Sequence, residues 1–349
     1  MRKHKNVITI LLLFIVIISN VNAQTNKSSQ APKAKSKAEL DAYSELYSEK
    51  DMSKKAGLSN SFLRAFPNSE FRIFAAQLGI QANIALGKHN EIVRIGEKIL
   101  TELPQTKLKS KIRILTLMMN SYQQLNNFNK TVSVSNHLLR LDPEYLPALL
   151  KLSSILPHIL PEEIEARDSQ LQRALNITLR TKEQVNIYLS RPKPTKFTIS
   201  QWEKRRLNLF SQIHTALAAI YFHRKDFTLA IQEYEKATEL VRTDGVSFYK
   251  MGTAYIYQAK TVREEIAQIV HNKTSDLSIR DEKVGQYEIM RDKAIESLAK
   301  VIALKKYVPT KILQAAKADI ERLYLSKNNN SLVGLEALIL ELGQDLTSN

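Results

Sequence analysis

Cysteine is absent from the 349-residue chain. That removes disulfides, thiolate metal sites, cysteine nucleophiles and a lipid-modified N-terminal cysteine together. Glycine is scarce, at nine residues. Hairpins and nucleotide-binding loops consume glycine, so its scarcity favours an all-helical chain. No HExxH, GxSxG, GxxxxGK[ST] or GxGxxG occurs, which excludes the commonest zinc-protease, hydrolase and nucleotide-binding signatures. The seven histidines are dispersed with no pair at i, i+3 or i, i+4, so a metal site would need distant segments. Neither a metal, a cofactor nor a catalytic residue is expected.

What the chain does have is a basic balance, apolar residues and a hydrophobic start. The formal charge is +16, and 44% of residues are apolar, ample for a continuous core. A basic balance favours acidic partners, including anionic lipid or wall polymers. Arg2, Lys3 and Lys5 precede Val7–Ile18, a stretch apolar but for Thr9, and Val21-Asn22-Ala23 puts small residues where a signal peptidase cuts. Residues 1–23 therefore read as a signal peptide, too short in its apolar core to span a membrane. Export to a periplasm or beyond the cell follows, with an uncleaved anchor as the alternative. Residues 24–35 lack aromatics and branched aliphatics and read as a flexible tether.

One stretch sets the register of the rest. With Ser211 as position 1, Leu217, Ala218 and Tyr221 fall at 7, 8 and 11, and Phe227, Ala230, Tyr234 and Ala237 at 17, 20, 24 and 27. Restarting thirty-four residues on at Gly245, Met251, Gly252 and Tyr255 land at 7, 8 and 11 again. Small residues at 8, 20 and 27 with aromatics at 11 and 24 in a thirty-four-residue period resemble the tetratricopeptide repeat. The resemblance implies an all-α solenoid, a right-handed superhelix of antiparallel helix pairs. The small residues let helix axes approach and the large ones fill the holes, so Ala218, Ala230, Ala237, Gly252, Tyr221 and Tyr255 are packing residues.

Degenerate repeats extend to both sides. Pro67, Pro104 and Pro143 each close a helix pair upstream, since a second helix must stop before the chain turns. Residues 36–180 form the N-terminal pairs, the proline-broken region 181–201 a linker, and 202–349 a C-terminal array. Within that array a helical insertion at 259–288 lengthens two helices around a polar turn, Asn272–Asp276, and the last pair acts as a cap.

In tetratricopeptide repeats, positions 2, 5, 9 and 12 of the first helix tend to face a concave groove. Carried over, these give Gln77 and Gln81, then Arg113, Thr116, Asn120 and Gln123, then Gln212, Thr215 and Phe222, and finally Tyr249 and Thr253; His223 also lies on the groove side. Amides offer donors and acceptors to the backbone of an extended peptide. The resemblance thus implies a non-enzymatic scaffold for a protein or peptide partner. The lysine/asparagine/arginine clamp for acidic chaperone tails is missing from positions 5 and 9. An alternative is an anionic envelope surface held by Lys107, Lys109, Lys111 and Arg113 or by Arg191, Lys193, Lys196, Lys204, Arg205 and Arg206. Few aromatics interleave them, so nucleic acid is not expected. Glu296-Ser297 sits inside an ordinary second helix without the glycine-rich context of a lytic transglycosylase.

Overall fold

The computed structural model describes residues 32–271 and 277–347. The signal-peptide reading of 1–23, most of the tether and the turn Asn272–Asp276 lie outside the described residues. Among the described residues there is helix and no strand. The chain divides into two compact units, Met1–Pro143 and Glu144–Asn349.

The first unit holds three consecutive helix pairs: α1 (Lys37–Ser48) with α2 (Met52–Ala65), α3 (Arg72–Ala85) with α4 (His89–Glu102), and α5 (Leu108–Gln124) with α6 (Phe128–Leu141). Side-chain caps fix several starts. Ser36 Oγ accepts from Glu39 N at 3.1 Å, Asp51 Oδ1 from Lys54 N at 2.8 Å, and Asn127 Oδ1 from Lys130 N at 3.1 Å; each satisfies a donor the helix leaves orphaned. Small residues set the spacing between helices. A Cβ on Gly79 of α3 would lie 2.1 Å from Ser59 Oγ of α2, and one on Gly96 of α4 would lie 2.5 Å from Met118 Sδ of α5. The core of this unit is mainly aliphatic, with Ile80, Ile92, Ile99, Ile114 and Leu138 wholly enclosed and Phe62, Phe71 and Tyr122 buried beside them.

The second unit holds four pairs: α7 (Leu146–Ile155) with α8 (Ile164–Ser190), α9 (Ile199–His223) with α10 (Phe227–Leu240), α11 (Gly245–His271) with α12 (Leu277–Ala303), and α13 (Thr310–Lys327) with α14 (Leu335–Thr347). A short 3-10 turn, Leu156–His158, extends α7. The predicted positions 8, 20 and 27 are core: Ala218, Ala230 and Ala237 are wholly buried beside Tyr234. A Cβ on Gly252 would meet Leu298 Cγ at 3.0 Å, so α11 and α12 are in close contact where the register puts glycine. The register break corresponds to two helices of 27 residues each, joined along their length by Lys283 Nζ to Glu265 Oε2 at 2.7 Å.

Two boundaries differ from the sequence reading. Residues 181–190 are the last turns of α8 rather than linker, because no breaker precedes Pro192 and Thr181 and Val185 face the core. Val185 packs with Leu209, Ile213 and Leu217 of α9, and this contact also assigns α7 and α8 to the second unit rather than to the N-terminal array. The connection is thus 191–198. It ends in a capping box, with Thr198 Oγ1 accepting from Gln201 N at 3.1 Å and Gln201 Oε1 from Thr198 N at 3.0 Å.

The same closure ends the first helix of four pairs. Gly87, Asn126, Lys225 and Asn329 have φ of 67°, 55°, 63° and 48°. The following N–H closes onto the carbonyl five residues back: Lys88 to Asn83, Asn127 to Tyr122 and Asn330 to Leu325 at 2.9 Å each, Asp226 to Tyr221 at 3.0 Å. This left-handed closure satisfies the last carbonyls of the first helix; in the first three of these pairs the second helix begins two residues on, whereas residues 331–334 precede α14.

Candidate binding faces

In the first unit the carried-over positions lie on α3 and α5. Gln81 is exposed, and Gln77, Asn120, Gln123 and Arg113 are half-buried. The side chains of Gln77, Gln81 and Asn120 make no hydrogen bond among the described residues, and Arg113 Nε is enclosed without an acceptor. Thr116 departs from its expected role. It is 5% exposed, and its hydroxyl donates to the Ile112 carbonyl at 2.7 Å. A threonine facing inward satisfies itself on the preceding turn of its own helix, so Thr116 packs rather than presents.

In the second unit, two of the carried-over hydroxyls are similarly engaged. Thr253 Oγ1 donates to Tyr249 O at 2.9 Å, and Thr215 Oγ1 lies 3.1 Å from Ser247 Oγ, tying α9 to α11. Neither is a free recognition group. Tyr249 is half-buried and Gln212 exposed. Phe222 belongs to an aromatic cluster, edge-on to Phe227 and Tyr257 at 5.5 and 5.4 Å between centroids, with Tyr257 47% exposed.

His223 is the predicted residue with the most developed surroundings. Its ring stands 6.3 Å from that of His158 on the 3-10 turn, at 72°. His158 Nε2 is in turn 3.4 Å from Lys250 Nζ of α11. Three elements distant in sequence thus bring two imidazoles and an ammonium together. His158 and His223 are exposed and Lys250 is half-buried, and partial desolvation by the surrounding protein is the first cause acting on all three. His158 is lowered to about 4, by desolvation first and then by the charges of Lys250 and His223. His223 is lowered by desolvation, Lys250 and Arg167. The Lys250 ammonium is lowered by desolvation, partly offset by Asp244. Position 6 of the repeat, which places Lys250, was not among the positions carried over, and no local motif announces His158. Lys151, the sixth residue of α7, is a second enclosed lysine, 9% exposed and lowered to about 8 by desolvation.

Other candidate groups have structural roles. His214 Nδ1 lies 2.6 Å from Glu233 Oε2. Burial pushes the Glu233 carboxyl up, but hydrogen bonds from His214 and Lys236 outweigh it and hold the group below its usual range. Glu296 is likewise raised by burial and drawn lower on balance by Lys300 and Lys293, an ion-paired helix residue with no nucleophile or acid partner. Much of the basic run at 191–206 is used internally. Lys193 Nζ donates to Phe197 O at 2.6 Å, Arg205 Nε donates to Tyr188 Oη at 3.1 Å while stacking on that ring and on Phe197, and Arg206 pairs with Glu203 at 3.2 Å. Among the described residues no cluster of three or more metal-ligating side chains occurs, and no helix is long and apolar enough to cross a membrane.

No family model matches the chain, and no curated protein does. Solved structures similar to it include a thermophilic TPR protein of Thermus thermophilus, at 15% identity and TM-score 0.40, covering 70% of this chain and 96% of that one. A tetratricopeptide repeat protein from Parabacteroides merdae is 13% identical at TM-score 0.40, covering 83% and 100%. The APC/C hetero-tetramer Cut9–Hcn1 is 14% identical at TM-score 0.32, covering 89% of this chain and 53% of that one. At such identities and scores the assignment rests on the chain's own features. These are consecutive helix pairs, small residues at the close approaches and one recurrent turn closure. By those features the chain is an all-α array of tetratricopeptide-type helix pairs.

Proposed function

We propose that the chain is a non-catalytic scaffold that binds a peptide or protein partner along the first-helix faces of its helix pairs. The observation that carries this reading is the row of polar side chains on α3 and α5 that the fold itself does not engage. Gln77, Gln81 and Asn120 make no hydrogen bond among the described residues, and Arg113 Nε is enclosed without an acceptor. Leaving an enclosed donor unpaired costs about 1–3 kcal/mol, a cost that a partner's backbone carbonyls would relieve. The positions that specify the fold lie elsewhere, so this face is not needed for packing. Crosslinking of the full chain in its native envelope, with Gln81→Ala/Asn120→Ala as the comparison, tests the reading. Loss of a captured partner in the double variant supports it, and unchanged capture of every partner overturns the assignment of this face.

Export is part of the same proposal. The basic start, apolar core and small residues at Val21-Asn22-Ala23 support translocation and cleavage after Ala23. An N-terminal sequence of the secreted or periplasmic product beginning at Gln24 is the expected result; a cytoplasmic product retaining Met1 would refute it. The rival reading, an anionic envelope surface held by basic runs, has less support because Lys193, Arg205 and Arg206 are engaged within the fold. Capture that collapses at moderate salt would favour the rival.

A further inference from the structure

The chemistry of His158, His223 and Lys250 points beyond a generic groove. Lys250 Nζ is 3.4 Å from His158 Nε2, and the His158 and His223 rings are 6.3 Å apart. Neither imidazole nor the ammonium has a carboxylate in hydrogen-bonding reach among the described residues. Folded proteins ordinarily intersperse acids among neighbouring basic groups, because like charges brought together repel. Here the charged neighbours add to the burden. Lys250 and His223 act on His158, and Lys250 and Arg167 act on His223. Arg167 is at the start of α8, and Arg224 follows His223 at the end of α9, where its guanidinium donates to Gln172 Oε1 at 2.8 Å. The acid that acts on the cluster is Asp244, through Lys250, and its oxygens already accept from Ser247 N at 3.1 Å and Ser247 Oγ at 2.6 Å.

We propose that His158, His223 and Lys250 form a binding site for a carboxylate of an acidic peptide segment, tightening as the pH falls. The proposal rests on the scaffold reading above and names the ligand chemistry for the second unit. At neutral pH both imidazoles are uncharged, so of the three groups only Lys250 carries a formal positive charge. That matches a carboxylate monoanion better than a phosphate dianion. Neutral imidazoles still offer N–H donors, and the Lys250 ammonium supplies a charge-assisted bond. The aromatic cluster of Phe222, Phe227 and Tyr257 begins next to His223, edge-on to it through Phe222 at 5.7 Å, and gives the rest of a peptide an apolar surface. On acidification each imidazole that gains a proton is stabilised by the bound anion, so binding takes up protons and affinity rises. The rise ends where the carboxylate itself protonates, near its ordinary value of about 4.

The test is fluorescence anisotropy of a fluorescein-labelled tetraglutamate peptide with the full chain at about pH 7.5 and about pH 5.5, with tetraglutamine as the uncharged control. Saturable binding that is on the order of tenfold tighter at the lower pH, with none for tetraglutamine, is expected. Lys250→Met should weaken tetraglutamate roughly tenfold, Lys250→Arg should retain it, and His158→Asn/His223→Asn should abolish the pH dependence. Lys225→Asn, which removes a nearby surface charge, should change affinity less than about twofold. A second reading uses unaltered protein: about 20 mM acetate should raise the NMR titration midpoints of both imidazoles, whereas equimolar phosphate should raise them less. Equal losses from Lys250→Met and Lys225→Asn, pH-independent binding or unmoved midpoints would each overturn the site. Such failure leaves partner capture by the first unit standing. Conversely, tetraglutamate binding without any captured partner would support the site and sink the scaffold reading.

Discussion

Gly79→Ala should destabilise the protein even though it replaces glycine by alanine in a helix interior. In an open helix that exchange stabilises by about 1 kcal/mol. At Gly79 the added methyl would lie 2.1 Å from Ser59 Oγ and 2.7 Å from Ser59 Cβ. A hydroxyl oxygen can rotate aside in a looser site, but a Cβ is fixed to its backbone, so α2 and α3 must separate. Ser59 is also wholly buried, and its hydroxyl donates to Ala75 O at 2.8 Å. Overpacking costs about 1–3 kcal/mol, and a displaced buried hydroxyl adds about 1–3 kcal/mol. Set against the gain in helix propensity, the net loss is about 1–5 kcal/mol. Gly57, in α2, supplies the control: its Cβ would meet nothing within 4 Å, so Gly57→Ala should stabilise by about 0.5–1 kcal/mol. Urea denaturation of the full chain followed by circular dichroism reads both. The double variant Ser59→Gly/Gly79→Ala removes the obstructing atoms and should be less destabilised than the two singles summed, by about 1–2 kcal/mol. A Gly79→Ala protein as stable as the parent, or strict additivity in the double variant, would refute the close approach of α2 and α3.

Three further outcomes are expected. Ala230→Leu, at a wholly buried position of the α9–α10 pair, should cost about 1–3 kcal/mol through overpacking; urea unfolding read by Trp202, the chain's single tryptophan and part of the second unit, measures it. Lys225→Asn should stabilise by about 0.5–1 kcal/mol, because Lys225 holds φ of 63° in the turn where Asn126 and Asn329 serve elsewhere; a lower melting temperature would refute it. Acid should weaken the second unit through His158. Its folded value of about 4 lies below the unfolded value of about 6.5. The unfolded chain therefore binds more protons as pH falls below the unfolded value, and stability is lost between there and the folded value. With the exposed edge of the ring screening the effect, the loss at about pH 5 is about 1 kcal/mol, and His158→Asn should lose correspondingly less between about pH 7 and 5.

The packing positions were legible because they are periodic. Ala218, Ala230, Ala237 and Gly252 recur at fixed spacings, and each is where helices approach. Helix ends were legible where proline or a capping residue marks them, as at Pro143 and Thr198. The C-terminal turns of α8 were not, since Pro192 and Pro194 draw attention to a break while Thr181 and Val185, which decide the matter, identify themselves only by what they pack against. Recognition positions fared unevenly for a similar reason. Register says which way a Cβ points, but a threonine on that face can return its hydroxyl to its own backbone, as Thr116 and Thr253 do. Amides are longer and less readily satisfied within their own turn, and Gln77, Gln81 and Asn120 keep their groups available.

The cationic cluster shows why a repeat register locates a binding face more readily than its chemistry. A first-helix face is assembled sideways across repeats, so neighbours on it are separated by a repeat or more in sequence. His158, His223 and Lys250 come from the end of α7, the end of α9 and the second turn of α11, and no local spacing links them. Each alone reads as an ordinary surface residue. Together they gather three partly desolvated basic groups with no carboxylate in hydrogen-bonding reach among the described residues, a cost that packing elsewhere must offset in the free protein. Because protonation makes that cost larger and a bound anion makes it smaller, acid sensitivity and anion affinity are linked through the same imidazoles. A variant that removes one of these effects should diminish the other.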